Sequence, residues 1–113
     1  MTTLFERIIQ GEIPCEKVFE NENIFAFKDI APKAPVHILI VPKKVIPDLQ
    51  SVNLEDLALM GEIVQVAQRL AREFDIEEDG YRLICNNGPF AGQTIYHLHF
   101  HLLGGAPLGR MAG

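Results

Sequence analysis

Residues His97 to Leu103 read His-Leu-His-Phe-His-Leu-Leu and hold three of the four histidines in the chain. Alternate side chains of a strand point to opposite faces. Leu98, Phe100 and Leu102 therefore share one side, and His97, His99 and His101 share the other. Successive histidines on that side stand ~6.6 Å apart along the strand. A row of imidazoles packs poorly, but it suits proton transfer or nucleophilic attack near neutral pH, because the free imidazole titrates near ~6.5. A zinc ion is the competing use of such a row, with two histidines as ligands and a third ligand from elsewhere. No carboxylate or cysteine lies close in sequence, and a row of three is too long for one ion to use easily, so no metal is expected.

The elements that must position this row follow from periodicity and punctuation. Thr3 to Gln10 reads as a short helix with Leu4, Phe5 and Ile8 inward and Gly11 as its stop. Lys17 to Glu20 and Ile24 to Lys28 read as two strands around an Asn21-Glu22-Asn23 turn. Val36 to Val41 is an apolar strand with Pro35 and Pro42 at its ends, where the ladder can spare a donor. Leu54 to Phe74 is the one long helix. Leu57, Met60, Val64, Ala67, Ala71 and Phe74 recur on it at helical spacing, with Asn53 as its cap. Tyr81 to Asn86 is a fourth strand, Asn87 to Gly92 a turn-rich loop, and the histidine row the last strand. The expectation is one α+β domain over residues 1–113. It has a mainly antiparallel five-stranded sheet, one long helix and a short N-terminal helix.

Bulk properties narrow the function classes. The chain has 113 residues, 48% of them hydrophobic and 22% charged, in the range of a globular domain. Its net charge of −5 argues against a domain that binds a nucleic-acid polymer through a clustered basic face. No apolar run approaches the ~20 residues that cross a bilayer. Glu6 and Arg7 interrupt the N-terminal apolar residues, unlike a secretory signal. Cys15 and Cys85 have no metal-type spacing. The reading is a cytoplasmic protein with no membrane association, its two thiols reduced. A domain this small gains from hiding more apolar area in a homodimer.

The segment Gln93 to Leu103 resembles the signature of the histidine triad superfamily, His-φ-His-φ-His-φ-φ with φ apolar. Further segments agree along nearly the whole chain: Phe5 to Pro14, Ala26 to Pro35, His37 to Lys44 and Gly104-Gly105. Together they are similar to the Hint branch, the histidine triad nucleotide-binding proteins. The resemblance implies a purine nucleoside phosphoramidase with AMP or GMP derivatives as substrates, no cofactor, and a homodimer that joins two sheets into one. It implies His99 as the nucleophile, forming a nucleotidyl-histidine intermediate, with the His97 carbonyl holding its Nδ1–H. His101 would contact the phosphate and help the amine leave, and His37 would stand beside the triad.

Residue by residue, the same resemblance makes Asp29 the ribose carboxylate. It makes Phe5, Ile8, Phe27, Ile30 and Leu39 the walls of the base pocket. Gly92, Gln93 and Thr94 become the loop on the phosphate side, with Thr94 close to the chemistry. By pattern alone the apolar residues are ordinary core, Asp29 is a turn residue and His37 is a core histidine. Asn86 favours the Hint branch, since the Fhit-like dinucleoside polyphosphate hydrolases carry Gln there. The Gly88 to Thr94 loop has a Fhit-like look, which keeps that hydrolase as an alternative. A nucleotide- or zinc-binding module without turnover is another. Many Hint proteins carry an aromatic residue near the C-terminus that tunes amine preference. This chain ends Gly104 to Gly113 with no Trp at all, so amine preference does not carry over.

Overall fold

The computed structural model describes residues 2–110. Its elements are α1 (Leu4–Ile9), β1 (Lys17–Glu20), β2 (Ile24–Lys28), β3 (Val36–Pro42), α2 (Leu57–Glu73), β4 (Tyr81–Ile84) and β5 (Phe100–Gly104). The five strands form one antiparallel sheet in the order β1-β2-β3-β5-β4. The expected α+β architecture is the one observed.

The sequence explains the boundaries. Thr3 opens α1 with a capping box: its hydroxyl accepts from Glu6 N–H, and the Glu6 carboxylate accepts from Thr3 N–H at 2.8 Å. Asn21 closes the β1–β2 hairpin, its Oδ1 accepting from Asn23 N–H at 2.9 Å and Ile24 N–H at 2.7 Å.

The long helix needs two corrections. A 3-10 turn over Leu54–Asp56 precedes it. Neither Asn53 nor Asp56 caps with its side chain; the Asp56 carboxylate instead accepts from Lys44 Nζ at 2.8 Å. The buried stripe is Ile63, Val66, Ala67, Leu70 and Ala71, while Leu57 and Val64 are 52% and 46% exposed. Of the six expected residues, Ala67 and Ala71 belong to the buried stripe and Met60 and Phe74 pack against it, so only Leu57 and Val64 fall outside.

Pairing sorts the sheet residues onto two faces. Ile24, Ala26, Ile38, Ile40 and Leu102 pack toward α2. Phe25, Phe27, Leu39 and Val41 point the other way, where Phe5 and Ile8 of α1 cover them. Leu4 is 43% exposed and turns away from that contact. His37 lies opposite Leu103 and Leu39 opposite His101, so both histidines belong to the α1 face.

Candidate functional site

The site sits on the α1 face where β3 and β5 run together. The regular ladder of the last strand begins only at Phe100. His97 to His99 precede it in extended chain, tied down where Leu98 N–H donates to Ile46 O at 2.7 Å. The alternation nevertheless holds: Leu98 and Leu102 are buried, and the three histidines turn to the α1 side.

Each imidazole has its tautomer set by a partner with a single role. His99 Nδ1 lies 2.8 Å from the His97 carbonyl, which only accepts, so Nδ1 carries the proton and Nε2 keeps its lone pair. His97 is fully buried and donates from Nε2 to Pro42 O at 2.7 Å. Its Nδ1 therefore accepts, and the Thr3 hydroxyl 2.8 Å away donates. His37 Nδ1 accepts from Lys33 N–H at 3.0 Å, which puts the His37 proton on Nε2. That proton points to His101 Nδ1 at 2.9 Å, with Asp29 Oδ2 at 3.5 Å. His101 Nδ1 is thus an acceptor, and neutral His101 carries its proton on Nε2.

Burial keeps the rings neutral. It lowers the pKa of His37, His97 and His99 below the usual 6.5, against the pull of the Asp29 carboxylate on His37 and His99. His101 is pushed down to about 4, by burial first and then by the neighbouring His99 and His37. The His99 and His101 ring centroids stand 5.2 Å apart.

Asp29, His37 and His101 could offer three ligand atoms to an ion, all within 4.8 Å of one another. The hydrogen bonds oppose that use. With His37 Nδ1 accepting from a backbone N–H, its Nε2 must carry the proton and has no lone pair for a metal. The donor set fits a proton-bonded chain better than a metal centre.

A cavity of about 390 Å³ opens in front of His99 and His101. Phe5, Ile8, Phe27 and Leu39 form its apolar wall, and Asp29, Asn86, Gly92 and Thr94 its polar rim. The Phe5 and His99 rings meet edge to face at 4.9 Å, which ties the wall to the triad. Ile30 is also at the mouth but is 94% exposed. Gly92 adopts φ 88°, a left-handed turn that glycine takes without strain and that leads the chain into Thr94.

Three predicted residues are placed outside this cavity. His37 stands beyond His101, bonded to its Nδ1, and lines the neighbouring hollow. His97 is sealed in the interior. Gln93 is buried, its amide accepting from Gly88 N–H and donating to Pro47 O and Ile95 O, so it braces the loop. Leu4, Ile13, Pro14, Cys15 and Ile95 line the cavity and were not singled out as site residues. Thr3 was missed as well, though Thr3-x-x-Glu6 is a capping box legible in sequence.

Comparison with known proteins agrees with this geometry. The model of the HIT domain matches residues 10–108. A HIT-like protein of Chlamydia pneumoniae is 56% identical over 97% of this chain and 99% of its own length. The purine nucleoside phosphoramidase of Escherichia coli is 47% identical over 96% of this chain and 92% of its own. The crystal structure of a HIT family hydrolase from Legionella pneumophila superposes with a TM-score of 0.93 at 47% identity, covering 96% of both chains. With its histidine row, its sheet and its sequence all in agreement, this chain belongs to the HIT-domain family.

Proposed function

We propose that the protein is a purine nucleoside phosphoramidase, hydrolysing the P–N bond of nucleoside 5'-phosphoramidates through a nucleotidyl intermediate on His99. The observation that carries this reading is the His99 tautomer: a neutral ring, held at Nδ1–H by a carbonyl, with the Nε2 lone pair free beside a cavity. In this reading His99 Nε2 bonds to phosphorus as the P–N bond breaks, and the electron pair leaves on nitrogen. The departing nitrogen takes a proton from water, while the neutral His101 Nε2–H hydrogen-bonds to a phosphoryl oxygen and steadies the charge that builds there. The substituted His99 ring keeps its Nδ1–H and is a cation. Water then attacks phosphorus, the P–Nε2 bond breaks with its electron pair returning to His99, and the proton that this water loses neutralises the hydroxide left by the first step.

The remaining residues take supporting roles. Asp29 Oδ1 is held by Ala31 N–H at 2.8 Å, which fixes a carboxylate at the rim to accept from ribose hydroxyls. Phe5, Ile8, Phe27 and Leu39 enclose a purine, with Ile30 at the mouth. Asn86, Gly92 and Thr94 face the phosphate. Apolar walls carry no donor–acceptor pattern, so adenosine and guanosine both fit. A homodimer through β4 suits the sheet. The opposite edge, β1, is charged at Lys17 and Glu20 and irregular in register, features that discourage pairing, whereas β4 is regular. No helix among the described residues is long and apolar enough to cross a membrane, which suits a cytoplasmic setting.

Steady-state hydrolysis of a fluorogenic adenosine phosphoramidate tests the reading. The wild type turns over, and His99→Ala lowers kcat by about 10⁴-fold or more while binding AMP and staying folded. An active His99→Ala overturns the nucleophile. A wild type that prefers diadenosine tetraphosphate replaces the phosphoramidase with a dinucleoside polyphosphate hydrolase.

A further inference from the structure

The sheet face that carries the triad does not stop at His101. Ile84 lies opposite His101 and Arg82 opposite Leu103, so β4 extends the same face toward its free edge. α1 covers only the β2–β3 half. On the far side of His101 a second hollow of about 410 Å³ shares Asp29, Asn86 and His101 with the first. It continues past Lys33, Ile84 and Leu103 into a cleft of about 200 Å³ that reaches Arg82 and Arg110. One groove thus runs from the apolar wall, over the reacting histidines, to a cationic end.

That end is unlike the rest of the molecule. The chain carries a net charge of −5, yet the terminal cleft is lined by Lys33, Arg82 and Arg110 with no carboxylate. None of the three is ion-paired among the described residues, whereas Lys17, Lys28, Lys43, Lys44 and Arg69 all are. The Arg82 guanidinium is anchored by one donor, Nη2 to Gly109 O at 2.8 Å, which orients the fork and leaves further N–H groups for a ligand. Ile84, Leu103 and Leu108 give the cleft an apolar floor that strengthens a charge pair above it.

We propose that this groove binds an anionic group on the fragment that departs from phosphorus. Two sources share that chemistry: the carboxylate of an amino-acid amine, and the phosphate of a departing nucleotide. The inference rests on the hydrolase reading above and names its leaving group.

Three substrates separate the cases: an adenosine phosphoramidate of alanine with a free carboxylate, its methyl ester, and diadenosine tetraphosphate. The wild type is expected to favour the free carboxylate over the ester about tenfold in kcat/KM, the scale of one charge-assisted hydrogen bond. Arg82→Gln or Lys33→Gln brings that ratio toward one. Arg82→Lys retains it, and 0.5 M salt reduces it by about the same factor as loss of one cation. Equal use of both phosphoramidates by an active wild type overturns the anion subsite and leaves the phosphoramidase intact, as does an unaltered ratio in Arg82→Gln. Cleavage of the tetraphosphate alone, weakened about tenfold by Arg82→Gln, keeps the subsite, assigns it to nucleotide phosphate and overturns the phosphoramidase. Inactivity on all three overturns both.

Discussion

The two faces of the one sheet are built on different rules. Toward α2, Ile24, Ala26, Ile38, Ile40 and Leu102 meet Ile63, Val66, Leu70 and Ala71, an apolar interlock with no hydrogen bond to satisfy. Toward α1, the same strands carry His37 and His101 among Phe25, Phe27 and Leu39, and the neighbouring chain buries His97 completely. There every fully buried polar atom has its partner, since among the described residues no buried side-chain nitrogen or oxygen is left unsatisfied, and the Nε2 atoms of His99 and His101 are left to the cavity. One face fixes the shape of the sheet by volume. The other fixes proton positions by hydrogen bonds, and only those can decide which ring nitrogen attacks and which donates.

Leu70→Ala strikes the first face. Leu70 is fully buried, and its truncation is expected to destabilise the fold by about 2–5 kcal/mol, transfer and cavity terms together. Urea unfolding followed by circular dichroism measures it. Activity per folded molecule stays near that of the wild type, because no site contact is removed. A loss of turnover beyond the folded fraction would mean that the two faces are mechanically coupled.

Acid strikes the second face. An unfolded chain protonates its histidines near the usual 6.5, whereas His101 in the fold resists until about 4. Between those values the unfolded state holds more protons, so stability rises with pH. The contribution is fully present above pH 6.5 and is lost as the pH falls toward 4. After allowance for the partial exposure of the ring it is on the order of 2 kcal/mol. His37, His97 and His99 act in the same direction. The same depression places the acid limb of kcat/KM below 6.5, since the nucleophile stays neutral. Thermal melts and pH–rate profiles at pH 7.5, 5.5 and 4.5 check both, and Leu70→Ala is expected to show the same pH slope from a lower starting stability. A midpoint that does not fall between pH 6.5 and 4 would detach the histidines from the stability of this face.

Much of this division was legible in the residues. Lys17–Glu20 and Ile24–Lys28 were delimited by their turns, and the alternation from His97 to Leu103 put the imidazoles on one side. The working stripe of α2 was legible in part. Met60, Ala67, Ala71 and Phe74 meet the core as their spacing suggests, whereas Leu57 and Val64 repeat at the same spacing and face out, and Ile63, Val66 and Leu70 complete the buried row, because only the position of the sheet chooses between neighbouring rows. Gln93 and Ile30 sit inside a recognisable motif, but one braces a loop and the other stands in solvent, because a motif records spacing and not side-chain direction. The Lys33 N–H bond to His37 was invisible for a different reason: it is a backbone contact, and sequence does not encode which amide will face a ring.

The smallest effect tests how the faces are joined. Thr3 is half-buried, caps α1 through its bond from Glu6 N–H at 3.1 Å, and donates to His97 Nδ1 at 2.8 Å. Thr3→Ala removes both, and is expected to destabilise by about 1–2 kcal/mol, the lost cap and the unpaired buried nitrogen together. Thr3→Ser keeps the hydroxyl and restores stability. His97 retains its Nε2–H bond to Pro42 O, so its carbonyl still holds His99 and turnover falls by less than about tenfold. A drop as large as that of His99→Ala would mean that the hydroxyl, and not the Pro42 carbonyl, sets the His97 ring, and that the nucleophile is positioned from the helix instead of from the sheet.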